Sequence, residues 1–410
     1  MSLDVETIRK DFPILTREVH GTRLVYLDSA NTSQKPHAVL DAIARYYEHS
    51  NANVHRGTYL IAEEATAALE GARQKVATFI GAASPREVVF TKNATEALNL
   101  VAKAWGRANL SAGDVVVLTE FEHHANIVPW HQLHDEIGIE LRWIPVQSDG
   151  HLDLTDLDAL LDGAKILSFA AMSNVLGTLT PVEDLVSAAH TAGAIAVIDA
   201  SQFVPHCPTD VQAWGADFVA FTGHKMCGPT GIGVLWGAEA VLEATPPFLT
   251  GGEMILNVTK EGFTTNELPW KFEAGTPPIA QAVGLGAAVD YLDGLGMDAI
   301  REHEIELTGY ALRTLNDRFG DRLTIHGPAQ PTERGGVLSF EFDQLHPHDL
   351  TQVFDQHGVC VRAGHHCAKP LMRVLGVAAT ARASLYVHND TDDVDALADA
   401  IAAAADFFDF

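Results

Sequence analysis

Cysteine is scarce in this 410-residue chain, which contains four, and no two of them form a Cys-x-x-Cys pair. So few cysteines exclude a disulfide-rich secreted scaffold and fit a reducing cytoplasm. No run of about 18 apolar residues occurs, which argues against a transmembrane helix. The opening residues MSLDVETIRK carry acids where a secretory signal needs a basic start and an apolar run. We therefore expect a cytoplasmic protein with no membrane partner.

Basic residues are also in short supply, because 27 Lys and Arg stand against 54 Asp and Glu, a formal net charge of −27. A surface this negative repels phosphate backbones and anionic lipids, so we expect no nucleic-acid partner. Hydrophobic residues make up 47% of the chain and charged residues 20%, a composition typical of globular proteins. Neither a low-complexity linker nor a solenoid-type repeat divides the chain. The length allows two or three domains or one large α/β domain.

Short apolar runs alternate with amphipathic stretches through the first part of the chain. Apolar strands of this kind are buried on both faces, which predicts a mostly parallel sheet with helices on both sides. Only the Gly-rich turn Gly223–Gly231 separates the last two strands, so we expect that pair to be antiparallel. The predicted strands are Glu87–Phe90, Val115–Thr119, Glu140–Val146, Lys165–Ala170, Ala194–Ile198, Asp217–Phe221 and Ile232–Trp236. The predicted helices include Ala94–Trp105, Leu154–Leu161 and Val182–Thr191.

The pattern changes near residue 290, where long helices precede a set of strands typical of an α+β module. We therefore predict a large domain over residues 26–290 and a small domain formed by residues 1–25 and 291–410. The helices predicted in this part are Ala280–Leu295, Met297–Arg318, Pro347–Gln356 and Val394–Phe407. The strands predicted here are Leu323–His326, Gly336–Phe342 and Ala383–Val387.

Polar residues follow the predicted strands at the edge where α/β sheets of this type bind ligands. Lys225 directly follows an apolar strand and precedes a glycine-rich stretch. A lysine at such an edge can lose its proton and attack a carbonyl, the Schiff-base chemistry that holds pyridoxal 5′-phosphate (PLP). Asp199 ends the preceding strand and could keep the pyridinium nitrogen of PLP protonated. Thr95 and neighbouring N–H groups at a helix start could hold its phosphate.

Each of these residues also has an ordinary structural interpretation. Lys225 could be a solvated loop lysine, as most lysines are. Asp199 could be a turn residue, Thr95 and Asn174 capping residues, and His123 part of a polar turn. What favours a common site is that all of them occur in this order along one chain.

The series of motifs resembles the class V PLP-dependent aminotransferase family, and within it the SufS-type cysteine desulfurases, relatives of selenocysteine lyase. The resemblance covers nearly the whole chain. It implies an α/β protein of PLP fold type I, with a mostly parallel seven-stranded sheet, helices on both faces and a smaller α+β domain. The segments that carry it are Asp28–Ala30, Asn53–Gly57, Glu122–Asn126, Asp199–Gln202, Thr222–Lys225, Asn266–Thr276, Arg362–Ala368 and Ala381–Ser384.

The resemblance implies a role for each matching position. Lys225 would bond covalently to PLP, and Asp199 would face its pyridinium nitrogen. The other implied cofactor contacts are His123 on the ring, Gln202 on the phenolic oxygen, Thr95, Thr222 and His224 on the phosphate, and Thr276 on the phosphate of the neighbouring subunit of a homodimer. The implied substrate-binding residues are Asn174, Arg362 and Arg382.

Cys367 lies in the glycine-containing loop Arg362–Lys369 and separates a desulfurase from an aminotransferase. A nucleophilic thiolate needs access and positive or hydrogen-bonding neighbours, which this loop offers. A buried structural cysteine is the simpler alternative. Zinc is a third interpretation, although the spacing matches no standard finger. Its candidate ligands are His357, Cys360, His365, His366 and Cys367.

These expectations combine into a catalytic set of Lys225, Cys367 and His123, with no metal. The enzyme would convert L-cysteine to L-alanine and leave a persulfide on Cys367, which a SufE-like or SufU-like acceptor would draw on for iron–sulfur cluster assembly. A selenocysteine lyase acting on L-selenocysteine is the alternative within the same fold. An interaction protein that binds zinc or carries sulfur through the His-His-Cys loop is an alternative outside it. His55 and Arg56 receive no defined role.

Overall fold

The computed structural model describes residues 3–408 of the chain. Residues 1, 2, 409 and 410 of the predicted small domain lie outside the described residues. The α-helices are α1 Val5–Lys10, α2 His37–His49, α3 Leu60–Phe79, α4 Ala94–Leu100, α5 Arg107–Asn109, α6 Val128–Ile137, α7 Leu157–Leu161, α8 Val182–Thr191, α9 Val211–Trp214, α10 Glu239–Ala244, α11 Ile279–Leu295, α12 Met297–Phe319, α13 Pro347–Gln356, α14 Lys369–Val374 and α15 Thr391–Phe407. The short 3₁₀ turns are Pro13–Thr16, Pro85–Glu87, His124–Asn126, Gly223–Lys225, Trp270–Phe272, Gly320–Arg322 and Pro331–Glu333.

In the described part of the chain, the strands form one large sheet, one smaller four-stranded sheet and three two-stranded pairs. They are β1 Glu18–Val19, β2 Thr22–Arg23, β3 Val25–Tyr26, β4 Val88–Thr91, β5 Val115–Thr119, β6 Glu140–Ile144, β7 Ala164–Ala170, β8 Ile195–Asp199, β9 Phe218–Thr222, β10 Gly233–Gly237, β11 Ile255–Val258, β12 Phe263–Thr265, β13 Leu323–His326, β14 Val337–Phe342, β15 Val359–Cys360, β16 Arg362–Gly364 and β17 Thr380–Ser384.

The large sheet has seven strands in the order β4-β10-β9-β8-β7-β5-β6. Strands β6, β5, β7, β8 and β9 pair in parallel, and β10 is antiparallel to both of its neighbours. Parallel neighbours need a crossover connection, and α6, α7 and α8 supply it between β5 and β8. The predicted mostly parallel seven-stranded sheet with a late antiparallel strand is confirmed.

Apolar side chains explain why these strands lie at the centre of the molecule. All five residues of β5 and all five of β9 are buried, as expected for strands covered on both faces. Asp199 is the last residue of β8 and Thr222 the last residue of β9. Because parallel neighbours end at the same edge, the residues that follow these strands come together there.

A tight turn brings the start of α4 to this edge. Gly233, the first residue of β10, lies so close to the backbone of Asn93 that a side-chain carbon at this position would overlap it. Asn93 caps α4 by accepting the Glu96 N–H at 2.9 Å. Beyond Leu100 the helix continues as a π-helical segment, Val101–Gly106, where we predicted uninterrupted α-helix to Trp105.

A second part of the molecule is built around the four-stranded sheet β13-β14-β17-β16. Helices α12, α13 and α15 pack together over it, with a shared apolar core. The N-terminal segment joins this part, since β3 pairs in parallel with β15 and Arg9 Nη1 contacts Asp393 Oδ2 at 2.9 Å. The domain boundary at residue 290 stays a prediction.

Strand β17 begins and ends three residues earlier than the predicted strand. The apolar run Ala383–Val387 led us to place the strand too far along the sequence. The strand instead contains Arg382 and is buried between β14 and β16. Strand β16 escaped prediction because Arg, Ala and Gly carry little strand propensity and pairing with β17 decides its conformation. Between residues 3 and 408, no helix combines the length and the apolar character that crossing a bilayer requires.

Candidate active site

Eleven of the twelve site residues predicted from the sequence line one cavity of about 210 Å³ at the carboxyl edge of the large sheet. Part of the lining comes from the strand ends of the sheet and part from the β16–α14 loop and β17. The eleven are Thr95, His123, Asn174, Asp199, Gln202, Thr222, His224, Lys225, Arg362, Cys367 and Arg382. The cavity therefore combines an amine, a carboxylate, a thiol and two guanidinium groups.

Lys225 is placed by the 3₁₀ turn Gly223–Lys225, which directly follows β9. Burial lowers the pKa of its ammonium group to about 8, and attraction to Asp199 opposes that shift. A larger fraction of Lys225 is therefore neutral near pH 8 than of an ordinary lysine. A neutral amine can act as a nucleophile or accept a proton.

The turn after β5 is fixed by Glu122, a fully buried carboxyl. It accepts the Thr119 hydroxyl at 2.5 Å, the Asn126 amide at 2.7 Å and the Ala170 N–H at 2.9 Å. Burial nevertheless raises the pKa of Glu122 to about 8. These contacts tie the turn to β7 and hold His123 at the cavity wall.

His123 is mostly uncharged at neutral pH. Burial and the neighbouring Lys225 ammonium lower the pKa of its imidazole to about 4. Its Nδ1 accepts the Ala125 N–H at 3.0 Å, which places the proton of the neutral ring on Nε2. The imidazole of His224 is also mostly uncharged at neutral pH, since burial and Lys225 lower its pKa to about 4.

Several buried polar atoms at the cavity have no hydrogen-bond partner among the described residues. They include Thr222 Oγ1, Gln202 Oε1 and Arg382 Nε. The Gln202 amide donates one N–H to the Ala30 carbonyl at 2.7 Å and has a second N–H to offer. Unsatisfied buried groups cost free energy unless a ligand pairs with them, so these atoms indicate a polar ligand.

Two arginines of the cavity converge on Asp28. Arg382 Nη2 lies 3.3 Å from Asp28 Oδ1, and Arg362 Nε lies 3.4 Å from Asp28 Oδ2. Arg382 Nη1 also donates to the Asn174 carbonyl at 2.9 Å. A carboxylate ligand can compete with Asp28 for these donors. We did not predict Asp28 as a site residue, although it belongs to one of the segments that carry the resemblance.

Cys367 is the exposed one of the four free cysteines. Its N–H donates to His365 Nδ1 at 3.2 Å, and its carbonyl accepts the His124 N–H at 2.7 Å. Cys207 and Cys227 are buried, unlike Cys367, and burial raises the pKa of each of these two thiols to about 12. Among the cysteines, Cys367 is the one at the cavity and within reach of solvent.

Two further groups singled out in the sequence lie elsewhere. Thr276 lines a second cavity of about 280 Å³, together with Pro278 and residues of β4. His55 lies between two carboxylates, 2.9 Å from Glu70 Oε1 and 3.1 Å from Glu253 Oε1. These contacts raise the pKa of His55, with the Glu70 hydrogen bond as the largest cause.

Within residues 3–408 no cluster of three or more His, Cys, Asp or Glu side chains is arranged to hold a metal ion.

Comparison with known proteins gives concordant matches along the whole chain. The model of the family described as aminotransferase class-V matches residues 25–397. A probable cysteine desulfurase of Streptomyces coelicolor is 55% identical, covering 99% of this chain and 98% of that protein. A cysteine desulfurase of Haloferax volcanii is 50% identical, with coverage of 99% and 98%. Among solved structures, the apo cysteine desulfurase of Thermococcus onnurineus superposes with a TM-score of 0.94 at 39% identity, covering 99% of each chain.

Proposed function

The chain belongs to the class V aminotransferase family, and within that family we propose that it is a PLP-dependent cysteine desulfurase. The observation that carries this proposal is that one cavity is lined by both the Lys225 amine and the Cys367 thiol. An aminotransferase needs the lysine alone, whereas removal of sulfur from cysteine also needs a nucleophile that can accept it. The identities of 50% and 55% to proteins named cysteine desulfurases support the same activity.

The residues at the cavity fit PLP. Within residues 3–408, Thr222 Oγ1 and Gln202 Oε1 are buried without a hydrogen-bond partner, and a ligand with phosphate and phenol groups would pair with such atoms. Lys225, with its lowered pKa, would form the covalent link, and Asp199 would face the pyridinium nitrogen. The proposed remaining contacts are His123 on the ring, Gln202 on the phenolic oxygen, and Thr95, Thr222 and His224 on the phosphate.

When bound, PLP supplies an electron sink for the charge that develops at the substrate Cα. Arg382 and Asn174 would bind the carboxylate of L-cysteine, with Arg362 at the edge of the cavity. Lys225 Nζ would accept the Cα proton, a task suited to an amine whose pKa lies near 8. His123 Nδ1 is occupied by the Ala125 N–H, so Nε2 is the ring nitrogen left to exchange protons with the substrate.

Cys367 would accept the sulfur. Its thiolate attacks the substrate sulfur, so that an S–S bond forms on Cys367 while the Cβ–S bond breaks and its electron pair stays with the carbon fragment. Protonation of that fragment gives L-alanine. The exposure of Cys367 would let an acceptor protein collect the persulfide, for which a SufE-like or SufU-like protein in iron–sulfur cluster assembly is our proposal.

The direct test of this function is an assay of the purified enzyme with L-cysteine and a reductant. Alanine and sulfide should appear in equal amounts. L-selenocysteine serves as the parallel substrate. Selenide and alanine release from it with no turnover of L-cysteine would replace the desulfurase by a selenocysteine lyase. Turnover of neither substrate would remove the proposed activity.

Asp199→Ala should leave the protein folded and lower turnover of L-cysteine by about 10²- to 10³-fold, the usual size of a lost electrostatic contribution. The carboxylate would no longer hold the proton on the ring nitrogen. Asp199→Asn keeps the shape and removes the charge, so it should be impaired to a similar degree. Turnover near the wild-type rate in both variants would contradict the role given to Asp199.

We also propose that the enzyme works as a homodimer in which Thr276 contributes to the neighbouring site. Thr276 lines a cavity separate from the one in its own chain that holds Lys225, which supports this role. Exposed apolar side chains such as Leu60, Leu256 and Phe263 provide surface for self-association. Sedimentation should show a dimer at working concentration, and Thr276→Ala should weaken PLP binding measured by dialysis. An active monomer would contradict the composite site.

A further inference from the structure

The loop that carries Cys367 has an unusual backbone. His366 and Cys367 both adopt left-handed conformations, with φ of 49° and 56°. Residues other than glycine rarely visit this region, and each one that does so costs free energy unless its surroundings hold it. Two such residues in succession need external contacts to stay in place.

Contacts from the large sheet supply that restraint. The Asn174 side chain donates to the His366 carbonyl at 2.7 Å, and the His124 N–H donates to the Cys367 carbonyl at 2.7 Å. On the far side of the cysteine, the Lys369 N–H donates to His124 Nε2 at 3.1 Å. His124 therefore contacts the loop at Cys367 and again two residues later, once through its backbone and once through its ring.

The ring of His124 is placed for this contact. It is half-buried and lies 5.7 Å from the His365 ring. Because Nε2 accepts the Lys369 N–H, the neutral ring carries its proton on Nδ1. Burial, His365 and the Lys369 side chain lower the pKa of His124, which keeps Nε2 free to accept.

We propose that His124 is a positioning residue that holds the Cys367 loop in its strained conformation by accepting the Lys369 N–H at Nε2. The role rests on the proposed function, in which Cys367 must meet the substrate sulfur at a defined place. The neighbouring His123 faces the cavity, whereas His124 acts on the reaction only through the loop. A small displacement of a reacting atom can cost about 100-fold in rate.

Three variants at His124 separate this role from a general effect on folding. Gln carries an amide oxygen near the place of Nε2 and can still accept the Lys369 N–H. Asn is polar but too short, and Leu has no acceptor. His131→Leu makes the same change on the exposed face of α6 and serves as the matched control, and Lys369→Ala removes the side chain but keeps the N–H.

The first readout does not depend on activity. Hydrogen exchange of the peptide containing residues 365–369 is followed by mass spectrometry in the PLP-loaded enzyme without substrate. Exchange should be about 5-fold faster in His124→Leu and His124→Asn, the factor expected for one lost hydrogen bond. It should be unchanged in His124→Gln, His131→Leu and Lys369→Ala.

The second readout is a kinetic split with L-cysteine. The rate of persulfide formation on Cys367 should fall by about 10- to 100-fold in the Leu and Asn variants, while KM stays within about twofold. His124→Gln should recover most of the rate. Equal exchange and equal persulfide formation in Leu, Asn and wild type would overturn the proposal. So would a Gln variant as impaired as Leu.

The two readouts also separate this inference from the proposed function. Suppose that the enzyme does not act on L-cysteine but that the loop exchanges faster in the Leu and Asn variants alone. His124 then positions the loop, and the proposed desulfurase activity is wrong. Suppose instead that the wild-type enzyme forms the persulfide and that hydrogen exchange and reaction rate in the variants equal those of wild type. The desulfurase activity is then supported, and the role proposed for His124 is wrong. If His124→Leu does not fold, His124→Asn and His124→Gln provide the same comparison between a side chain that cannot accept the Lys369 N–H and one that can.

Discussion

Cys367→Ser should bind L-cysteine and release almost no alanine. Serine keeps the size and a hydroxyl, but its oxygen is not ionised near neutral pH and is a poor nucleophile toward sulfur. We expect turnover of L-cysteine to fall by more than about 10³-fold, since the group proposed to accept the sulfur is gone. The absorption of the bound cofactor should still change when L-cysteine is added, because the residues proposed to hold PLP and the substrate carboxylate are untouched.

The matched control for this variant is Cys360→Ser. Cys360 lies seven residues earlier in the chain, is half-buried and does not line the cavity. It should keep nearly full activity. Full turnover in Cys367→Ser, or a loss of turnover confined to Cys360→Ser, would contradict the assignment of the nucleophile.

Lys225→Ala should abolish turnover and leave the fold intact. The substitution removes the amine that we propose both to bond covalently to PLP and to accept the Cα proton, and the loss of such a base alone is worth about 10²- to 10⁴-fold. Stability should change by less than about 1 kcal/mol, because Lys225 lies in the turn after β9 with its side chain at the cavity, so the substitution leaves the packing of the large sheet intact. Thermal unfolding and a cysteine assay measure the two effects separately.

Lys225→Arg provides the control for charge. Arginine keeps the positive charge but does not lose its proton in proteins. It should therefore be as inactive as the Ala variant. Borohydride treatment should fix PLP covalently in the wild-type protein and in neither variant. Covalent fixation at another lysine, or turnover in Lys225→Ala near the wild-type rate, would contradict the role of Lys225.

Sequence patterns predicted the large sheet well because most of its strands are short apolar runs. The predicted bounds of β5 and α8 match the structure residue for residue, and those of β9 differ by one residue at each end. In such segments the apolar sequence pattern that predicts a strand agrees with the buried position that the strand takes in the fold. The antiparallel direction of β10 also followed from local information, since the turn before it is too short for a crossover.

Elsewhere the conformation depends on partners that are distant in the chain. Arg382 is a poor candidate for a buried strand, because burying its charge costs free energy. Hydrogen bonds to Asp28 and to the Asn174 carbonyl offset that cost, and both partners lie more than 200 residues away in the sequence. The left-handed conformation of Cys367 likewise depends on contacts from residues near 124 and 174. Single-sequence periodicity carries no information about such pairings.

The candidate site was predictable as a set of residues but not as a geometry. Strand-end positions and motif resemblance pointed to eleven residues that line one cavity. The ring contact between His124 and Lys369, the pairing of both arginines with Asp28, and the unpaired Thr222 hydroxyl emerge only when the chain is folded.

Mass spectrometry of the enzyme after brief incubation with L-cysteine shows whether the substrate sulfur is transferred to Cys367. The protein is digested without reductant, and the peptide containing Cys367 is compared with those containing Cys207, Cys227 and Cys360. We expect one extra sulfur atom on the Cys367 peptide, formed together with alanine and absent in Lys225→Ala. Extra sulfur on Cys360 instead, or alanine formation with no sulfur on any cysteine, would contradict this expectation.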